Sequence, residues 1–287
     1  MRFLGVAAIV AAAILWGTTG TVQALLPETR DPLAVGALRL VIGAAALAAL
    51  ALVQRTGLPR GLPLPGLLLA AGAIAGYNLL FFHAVTLAGV GIGTAVTIGS
   101  APIWTSLYEF MVERRAPGRL RGAGQVLSIA GVALLGIAGG GVGSAPGIAL
   151  ALAAGACYAS YSLATSRLSG QAPSTLVAAT TFGLAAILAA PVLLIFPPVW
   201  LDTAVSWGAI AFLGIGATGL SYAFYTWGLG HVAASTAVTL ALAEPVTAWL
   251  FATWIVGEPV TSRSLAGVGL ILAGLALVAI VPRDQRQ

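Results

Sequence analysis

The amino-acid sequence predicts an all-α membrane protein: ten transmembrane helices in two inverted-topology repeats of five, with N- and C-termini cytoplasmic. Three observations predict it. The chain is 59% hydrophobic and only 7% charged over 287 residues, where a soluble domain carries about a quarter charged residues. Thr94-Ala95-Val96-Thr97 recurs as Thr236-Ala237-Val238-Thr239, a shift of 142 residues. The cations, all of them arginine, fall mostly on alternate connections between apolar segments.

Crossing the hydrocarbon core of a bilayer takes roughly 20 apolar residues. Ten segments satisfy this: 4–26, 32–53, 64–87, 92–112, 122–138, 146–167, 175–197, 205–228, 232–255 and 264–281. The first is too long, and too well continued by the others, for a cleaved signal peptide. Apolar composition runs the whole length, so no appended soluble domain is expected. Gly89, Gly91 and Gly93 mark the reversal between the third and fourth segments. Gly139-Gly140-Gly141 with Gly143 marks the link between halves, expected at 1–139 and 146–287. Most other glycines suit close helix approach in lipid. Cys157 is the single cysteine and forms no internal disulfide.

The repeat extends beyond one tetrapeptide. Trp16 maps onto Tyr158 and Phe82 onto Phe224; with one residue inserted, Pro102 maps onto Pro245 and Ile129-Ala130-Gly131 onto Leu272-Ala273-Gly274. A copy that crosses an odd number of times must insert upside down relative to its twin. With the N-terminus inside, Arg2, Arg55, Arg60, Arg114, Arg115, Arg119, Arg121, Arg167, Arg283 and Arg286 lie on the cytoplasmic side. Only Arg30 and Arg263 lie outside, and Arg39 lies within the second helix. That bias is the positive-inside pattern. Arginines scattered over several juxtamembrane loops exclude a nucleic-acid surface; the cluster Arg114, Arg115, Arg119 and Arg121 reads as a topology anchor that can also meet anionic lipid heads.

Glu244 lies near the middle of the ninth segment among Leu240, Ala241, Leu242 and Trp249. A charge there costs at least ~3 kcal/mol on insertion scales. Two readings stand: a carboxylate that couples substrate movement to protons, or a protonated acid that hydrogen-bonds a neighbouring helix. Pro102 and Pro245 take equivalent mid-helix places. Each frees a carbonyl one turn earlier and kinks its helix, and a freed carbonyl in lipid must face protein or a watery cavity; a simple packing bend is the other reading.

Polar and aromatic residues recur at helical spacing. Trp16, Thr19 and Gln23 share a face of the first helix, and Tyr158, Tyr161 and Thr165 take the equivalent face of the sixth. The fourth carries Thr94, Thr97, Trp104 and Tyr108; the third carries Tyr77, Asn78, Phe81, Phe82 and His83; the eighth carries Tyr222, Tyr225 and Trp227. A polar stripe on an apolar helix faces the bundle interior, as cavity lining or as packing glue. Trp200, Trp207 and Trp254 read as interface-belt aromatics. His83, in the outer third of its helix, is a proton relay or gate, or a histidine bonded to a neighbour. Arg39 lies roughly 10 Å inside the outer end of its helix, where it snorkels outward, pairs with an acid or attracts a substrate carboxylate. Glu109, Glu113 and His231 are expected to be solvated near the cytoplasm. The candidate substrate-binding set is Trp16, Thr19, Tyr77, Asn78, Phe82, His83, Pro102, Trp104, Tyr158, Tyr161, Tyr222, Glu244 and Pro245.

Enzymatic signatures are missing. There is no His-Glu-x-x-His metal motif, no Gly-x-Ser-x-Gly nucleophile turn and only two histidines. No metal and no cofactor is expected. With no ATP-binding module, pumping would draw on a gradient. Two inverted halves around a midplane site form the architecture of a secondary transporter.

Specific motifs now carry a resemblance. Leu15-Trp16-Gly17, Ala101-Pro102 followed by Glu113, Ala243-Glu244-Pro245-Val246 and Gly257-Glu258-Pro259 resemble the ten-helix, EamA-type members of the drug/metabolite transporter superfamily, over essentially the whole chain. The resemblance is nearest to bacterial amino-acid exporters, including the aromatic amino-acid (YddG-like) branch. It implies alternating access through a central cavity lined by helices 1, 3, 4, 6, 8 and 9, with helices 5 and 10 peripheral. It implies a multi-pass protein of the bacterial cytoplasmic (inner) membrane whose partners are lipid and a small-molecule substrate; protons join them only on the coupling reading of Glu244. An aromatic, hydroxylic wall selects broadly, so export of aromatic and other neutral amino acids is expected. Export of another small metabolite or drug, or a passive channel, are the alternatives. Ser100-Ala101-Pro102 carries no acid where many repeats do, which puts a symmetric two-acid mechanism in doubt.

Overall fold

Proline, glycine and short polar residues set where the helices of this chain begin and end. The computed structural model describes residues 1–57, 61–116, 118–138, 144–257 and 259–280. Arg60, Gly139 to Gly143, Glu258, Arg283 and Arg286 lie outside the described residues. Asp31 caps the second helix, its Oδ1 accepting from Leu33 N (2.8 Å) and Ala34 N (3.1 Å), with Pro32 in the first turn. Ser144 caps the sixth by accepting from Gly147 N. Gly89, at φ 81°, turns the chain between the third and fourth helices in a single residue; Gly91 and Gly93 lie inside the helix that follows.

The helices are α1 (Arg2–Gln23), α2 (Pro32–Val53), α3 (Leu64–Ala88), α4 (Val90–Met111), α5 (Arg119–Ala138), α6 (Ala145–Leu168), α7 (Ser174–Ile195), α8 (Ala204–Leu229), α9 (Ala234–Ile255) and α10 (Ser262–Ile280). No strand occurs among the described residues. By length and composition, eight of the helices can cross a membrane; α4 and α5 fall outside that set.

Several rods are interrupted. α1 breaks at Thr18, whose hydroxyl donates to Leu15 O. α7 breaks before Pro191. α8 passes through a π-helical stretch, Ile215–Leu220. α9 is split into Ala234–Leu240 and Ala243–Phe251. The two prolines therefore act differently: Pro102 lies inside an unbroken α4, whereas Pro245 follows a break in α9. The helix assignment is continuous through Pro102 and interrupted one turn before Pro245.

Packing follows the repeat. The first helix of each half sits on the third and fourth helices of the other: α1 packs against α8 and α9, and α6 against α3 and α4. α2 packs against α7 and α8. α5 and α10 pack chiefly on one another, through glycines seven residues apart on each. A Cβ at Gly131 would lie 2.5 Å from Gly267 O, and one at Gly124 would lie 2.7 Å from Gly274 O. The position that comes first on one helix meets the position that comes last on the other, so these two repeat-equivalent helices run antiparallel.

The surface is apolar and the interior carries hydroxyls. Leu194 and Trp254 stand 86% and 83% exposed. Inside, Thr105, Ser162, Thr239 and Ser221 are fully buried and give their hydroxyls to carbonyls four residues earlier on their own helices. That is how polar groups are satisfied away from water. Trp207 and Trp254 are exposed as belt residues would be, but Trp200 is not. The loop after α7 folds back, and Trp200 is buried in a second apolar cluster with Leu26, Val35 and Phe82.

Candidate functional site

The crossing of α1 and α6 between the halves brings their equivalent aromatics together. Trp16 lies edge-on to Tyr158 with ring centres 6.1 Å apart, and tilted against Tyr222 and Tyr225 at 4.9 and 5.2 Å. Tyr158 is 5.4 Å from Tyr77, which stacks on Phe81 at 5.7 Å. Tyr161 meets Tyr222 at 5.7 Å, and Phe182 of α7 meets Tyr222 at 4.4 Å. Such edge and offset contacts are worth about 0.5–1.5 kcal/mol each beyond burial. The cluster is tied down by hydroxyls: Tyr225 Oη lies 2.9 Å from Ser162 Oγ, which gives its own proton to Tyr158 O.

A charged and phenolic group adjoins these rings. Arg39 is buried at 8% exposure. Its Nε donates to Thr218 Oγ1 at 3.3 Å, and its guanidinium lies 5.9 Å from the Phe82 ring centre. Thr218 belongs to the π-helical stretch of α8, a local irregularity that is frequent at functional sites. Phe82 is held there because Gly36 of α2 leaves room for its ring. Glu244 sits in the first turn after the break in α9, with its backbone against Gly17 of α1. Its side chain is partly accessible and accepts no hydrogen bond from the described residues.

Of the candidate residues, Trp16, Tyr77, Tyr158, Tyr161, Tyr222 and Glu244 are brought together, and Phe82 joins through Arg39. Asn78 is buried beside them but donates to Ile74 O on its own helix (2.9 Å). Thr19 has its hydroxyl sealed from solvent without a partner among the described residues. Pro102 is buried in α4 and Pro245 partly buried in α9. His83 is exposed and Trp104 is 36% exposed; neither reaches the ring cluster. On α4 the inward face around the proline is Ala101, Thr105 and Glu109, one residue round from Trp104.

Three residues emerge that the candidate set left out. Tyr225 was signalled by sharing a helical face with Tyr222, and Arg39 by being a charge within an apolar segment. Phe182 carries no local signal. Of two acids expected to be solvated near one end, Glu113 is partly exposed and Glu109 is not. Glu109 is buried and paired with Arg121 at 3.0 Å, because α5 folds back against α4. Glu113 meets Arg167 at 2.9 Å, and Arg167 also donates to Tyr108 Oη at 2.8 Å. A separate apolar groove of about 350 Å³ lies between α4 and α5, against Ala95, Gly99, Ile103, Ile129 and Ala133.

Known proteins resemble this arrangement over its whole length. The family model described as EamA-like transporter family matches residues 3–137 and again 145–280. An uncharacterized transporter, YwfM of Bacillus subtilis, is 38% identical over 279 residues, which is 97% of this chain and 94% of that protein. The aromatic amino acid exporter YddG of Ancylobacter novellus is 31% identical over 283 residues, 95% of this chain and 96% of that protein. A chain of known crystal structure shares the fold with a TM-score of 0.84 at 24% identity, covering 97% of this chain and 98% of the other.

Proposed function

The chain belongs to the EamA-like transporter family, and from that premise we propose that it exports aromatic and other neutral amino acids by alternating access, with the substrate passing beside Trp16, Tyr158 and Glu244. It is a multi-pass membrane transporter of helical build, not a protein whose relatives are named as enzymes. In this reading α4 and α5 cross the membrane as well, giving ten spans in two repeats, 1–139 and 146–287, inverted relative to each other. Both termini lie in the cytoplasm, and the membrane is the bacterial inner one. The antiparallel seam between α5 and α10 supports the inversion, since equivalent helices of inverted halves must run in opposite senses.

The observation that carries the substrate reading is the ring cluster beside an accessible carboxylate and a buried guanidinium. The rings offer stacking and apolar contact to an aromatic or aliphatic side chain, and the charges offer contacts to its backbone end. The named exporter at 31% identity supports the same class. The break in α9 just before Glu244 supports a site at this depth, because discontinuous helices form the binding sites of many secondary transporters. Glu244 is the residue through which protons would be coupled. The test is counterflow of labelled phenylalanine, threonine and methionine into liposomes holding the purified protein. Uptake driven by the unlabelled amino acid inside is expected; no counterflow with any amino acid removes the proposal.

A further inference from the structure

Polar side chains that join the two halves gather at one end of the bundle, where α4 and α6 finish and α5 and α9 begin. Arg167 of α6 donates through Nη2 to Tyr108 Oη at 2.8 Å and to Glu113 Oε1 at 2.9 Å, and its guanidinium lies 5.0 Å from the Tyr108 ring centre. Further from the helix ends, Gln125 of α5 donates to Thr239 Oγ1 of α9 at 3.3 Å and accepts from Ser106 Oγ of α4 at 3.1 Å. Gln125 and Thr239 are buried, whereas the Arg167 and Glu113 side chains keep 52% and 28% of their exposure. Two polar layers therefore close the halves over one another here, a dry inner one and a wet outer one. At the opposite end, Arg30, Thr203 and Thr261 bond to groups within four residues of themselves in sequence.

The segments that carry these contacts are set off from the rest of their helices. Pro102 removes one N–H from the ladder of α4, and Ser106, Tyr108 and Glu113 all follow it. Thr239 belongs to the short segment Ala234–Leu240, which ends at the break in α9. Each arm of the contact thus adjoins a weakened point about which it can swing without unfolding a helix. A half-exposed ion pair is a weak bond, which suits a contact that is made and broken in every cycle; a fully buried pair costs far more to part. We propose that Arg167 with Tyr108 and Glu113, backed by Gln125 and Thr239, is a latch that holds this end of the transporter shut and must part before the path beside Trp16 opens to that side. On the topology proposed above this end faces the cytoplasm, where an exported substrate is loaded. The assignment rests on the alternating-access reading and adds to it the residues that hold one of the two states.

Opening of this end can be followed without any substrate. Ser235 lies on the same segment of α9 as Thr239, is fully buried, and has its hydroxyl sealed without a partner among the described residues. Ser235→Cys in a Cys157→Ser background therefore costs no side-chain hydrogen bond and reports exposure at the latch. In purified protein, well below the melting temperature, Arg167→Gln is expected to speed maleimide labelling of that cysteine by about threefold or more, the effect of losing a partly exposed ion pair with its added hydrogen bond. Equal labelling rates with and without Arg167→Gln overturn the latch. A second measurement decides should Arg167→Gln fail to fold. Tyr108→Cys and Arg167→Cys, again with Cys157→Ser, are joined in proteoliposomes by a reducible bifunctional thiol reagent long enough to span the side chains they replace. Counterflow of labelled phenylalanine is expected to fall at least about tenfold on joining and to return when the link is reduced, because a tied gate cannot cycle. Undiminished counterflow through linked protein overturns the latch and leaves amino-acid export standing. Absence of counterflow by the wild-type protein with every amino acid overturns the export reading, and the labelling rates still decide the latch.

Discussion

Trp16 touches Tyr158, Tyr222 and Tyr225 at once, so it joins the first half to the two second-half helices that face it. Replacing it removes ring surface on both sides. Trp16→Ala is expected to raise the KM for phenylalanine by about three- to tenfold, the equivalent of one or two aromatic contacts, and to change the KM for a small neutral amino acid much less. Equal changes for both would mean that the indole packs helices and does not meet the substrate. Glu244 makes a different prediction. Because its carboxylate is accessible but has no donor from the described residues, replacing it by glutamine should spare folding while removing a protonatable group. Counterflow by the wild-type protein is expected to vary between pH 5 and pH 9, and counterflow by Glu244→Gln to stay flat over about the same range. Superimposable profiles would make the residue structural.

At the level of helices, the seam between α5 and α10 depends on the absence of side chains at four positions. Gly131 and Gly124 face carbonyl oxygens of α10 at distances that no Cβ tolerates, and the atoms that would have to move are backbone. Gly131→Ala is therefore expected to lower stability by about 1–3 kcal/mol through overpacking, read as a lower melting temperature in detergent. Gly269, on α10 itself, has nothing within 4 Å of an added Cβ. Gly269→Ala should be neutral or stabilise by about 0.5–1 kcal/mol, since alanine holds a helix better than glycine. The pair separates close approach from helix propensity: equal effects at both sites would show that the seam does not need its glycines. The same seam illustrates what sequence conveys about elements. The internal repeat, at a shift of 143 residues here, makes Gly124 equivalent to Gly267 and Gly131 to Gly274. Equivalence in a repeat carries no information about contact, and that the four glycines meet follows only from how the two helices cross.

For the molecule as a whole, local and long-range information part company. Helix ends follow from apolar length and from proline and glycine, which act on their immediate neighbours; the segment read as 122–138 runs from Arg119 to Ala138, and that read as 4–26 ends at Gln23. The break in α9 falls at Ala241-Leu242, one turn before Pro245, where the proline frees a carbonyl; Pro102 carries the same local sign, and α4 runs through it without interruption. Trp200 is buried because a loop folds back over α2 and α8, a tertiary effect. The stripes named most of the ring cluster but not its pairings. His83 was grouped with Phe82 although adjacent helical residues point about 100° apart, so one faces in and the other out. Trp16 and Tyr222 lie 206 residues apart in sequence, and only the crossing of the halves brings their rings to 4.9 Å. That crossing is what the membrane topology must explain. Arg55 follows α2 and Arg263 lies in α10; both are exposed. If the halves are inverted and both termini are cytoplasmic, the two positions lie on opposite sides. In a Cys157→Ser background, cysteine at position 263 should react with an impermeant maleimide added to intact cells. Cysteine at position 55 should react only after the membrane is opened. Labelling of both positions from the same side would place the repeats in the same sense, and the pseudo-symmetric cavity proposed between them would have no basis.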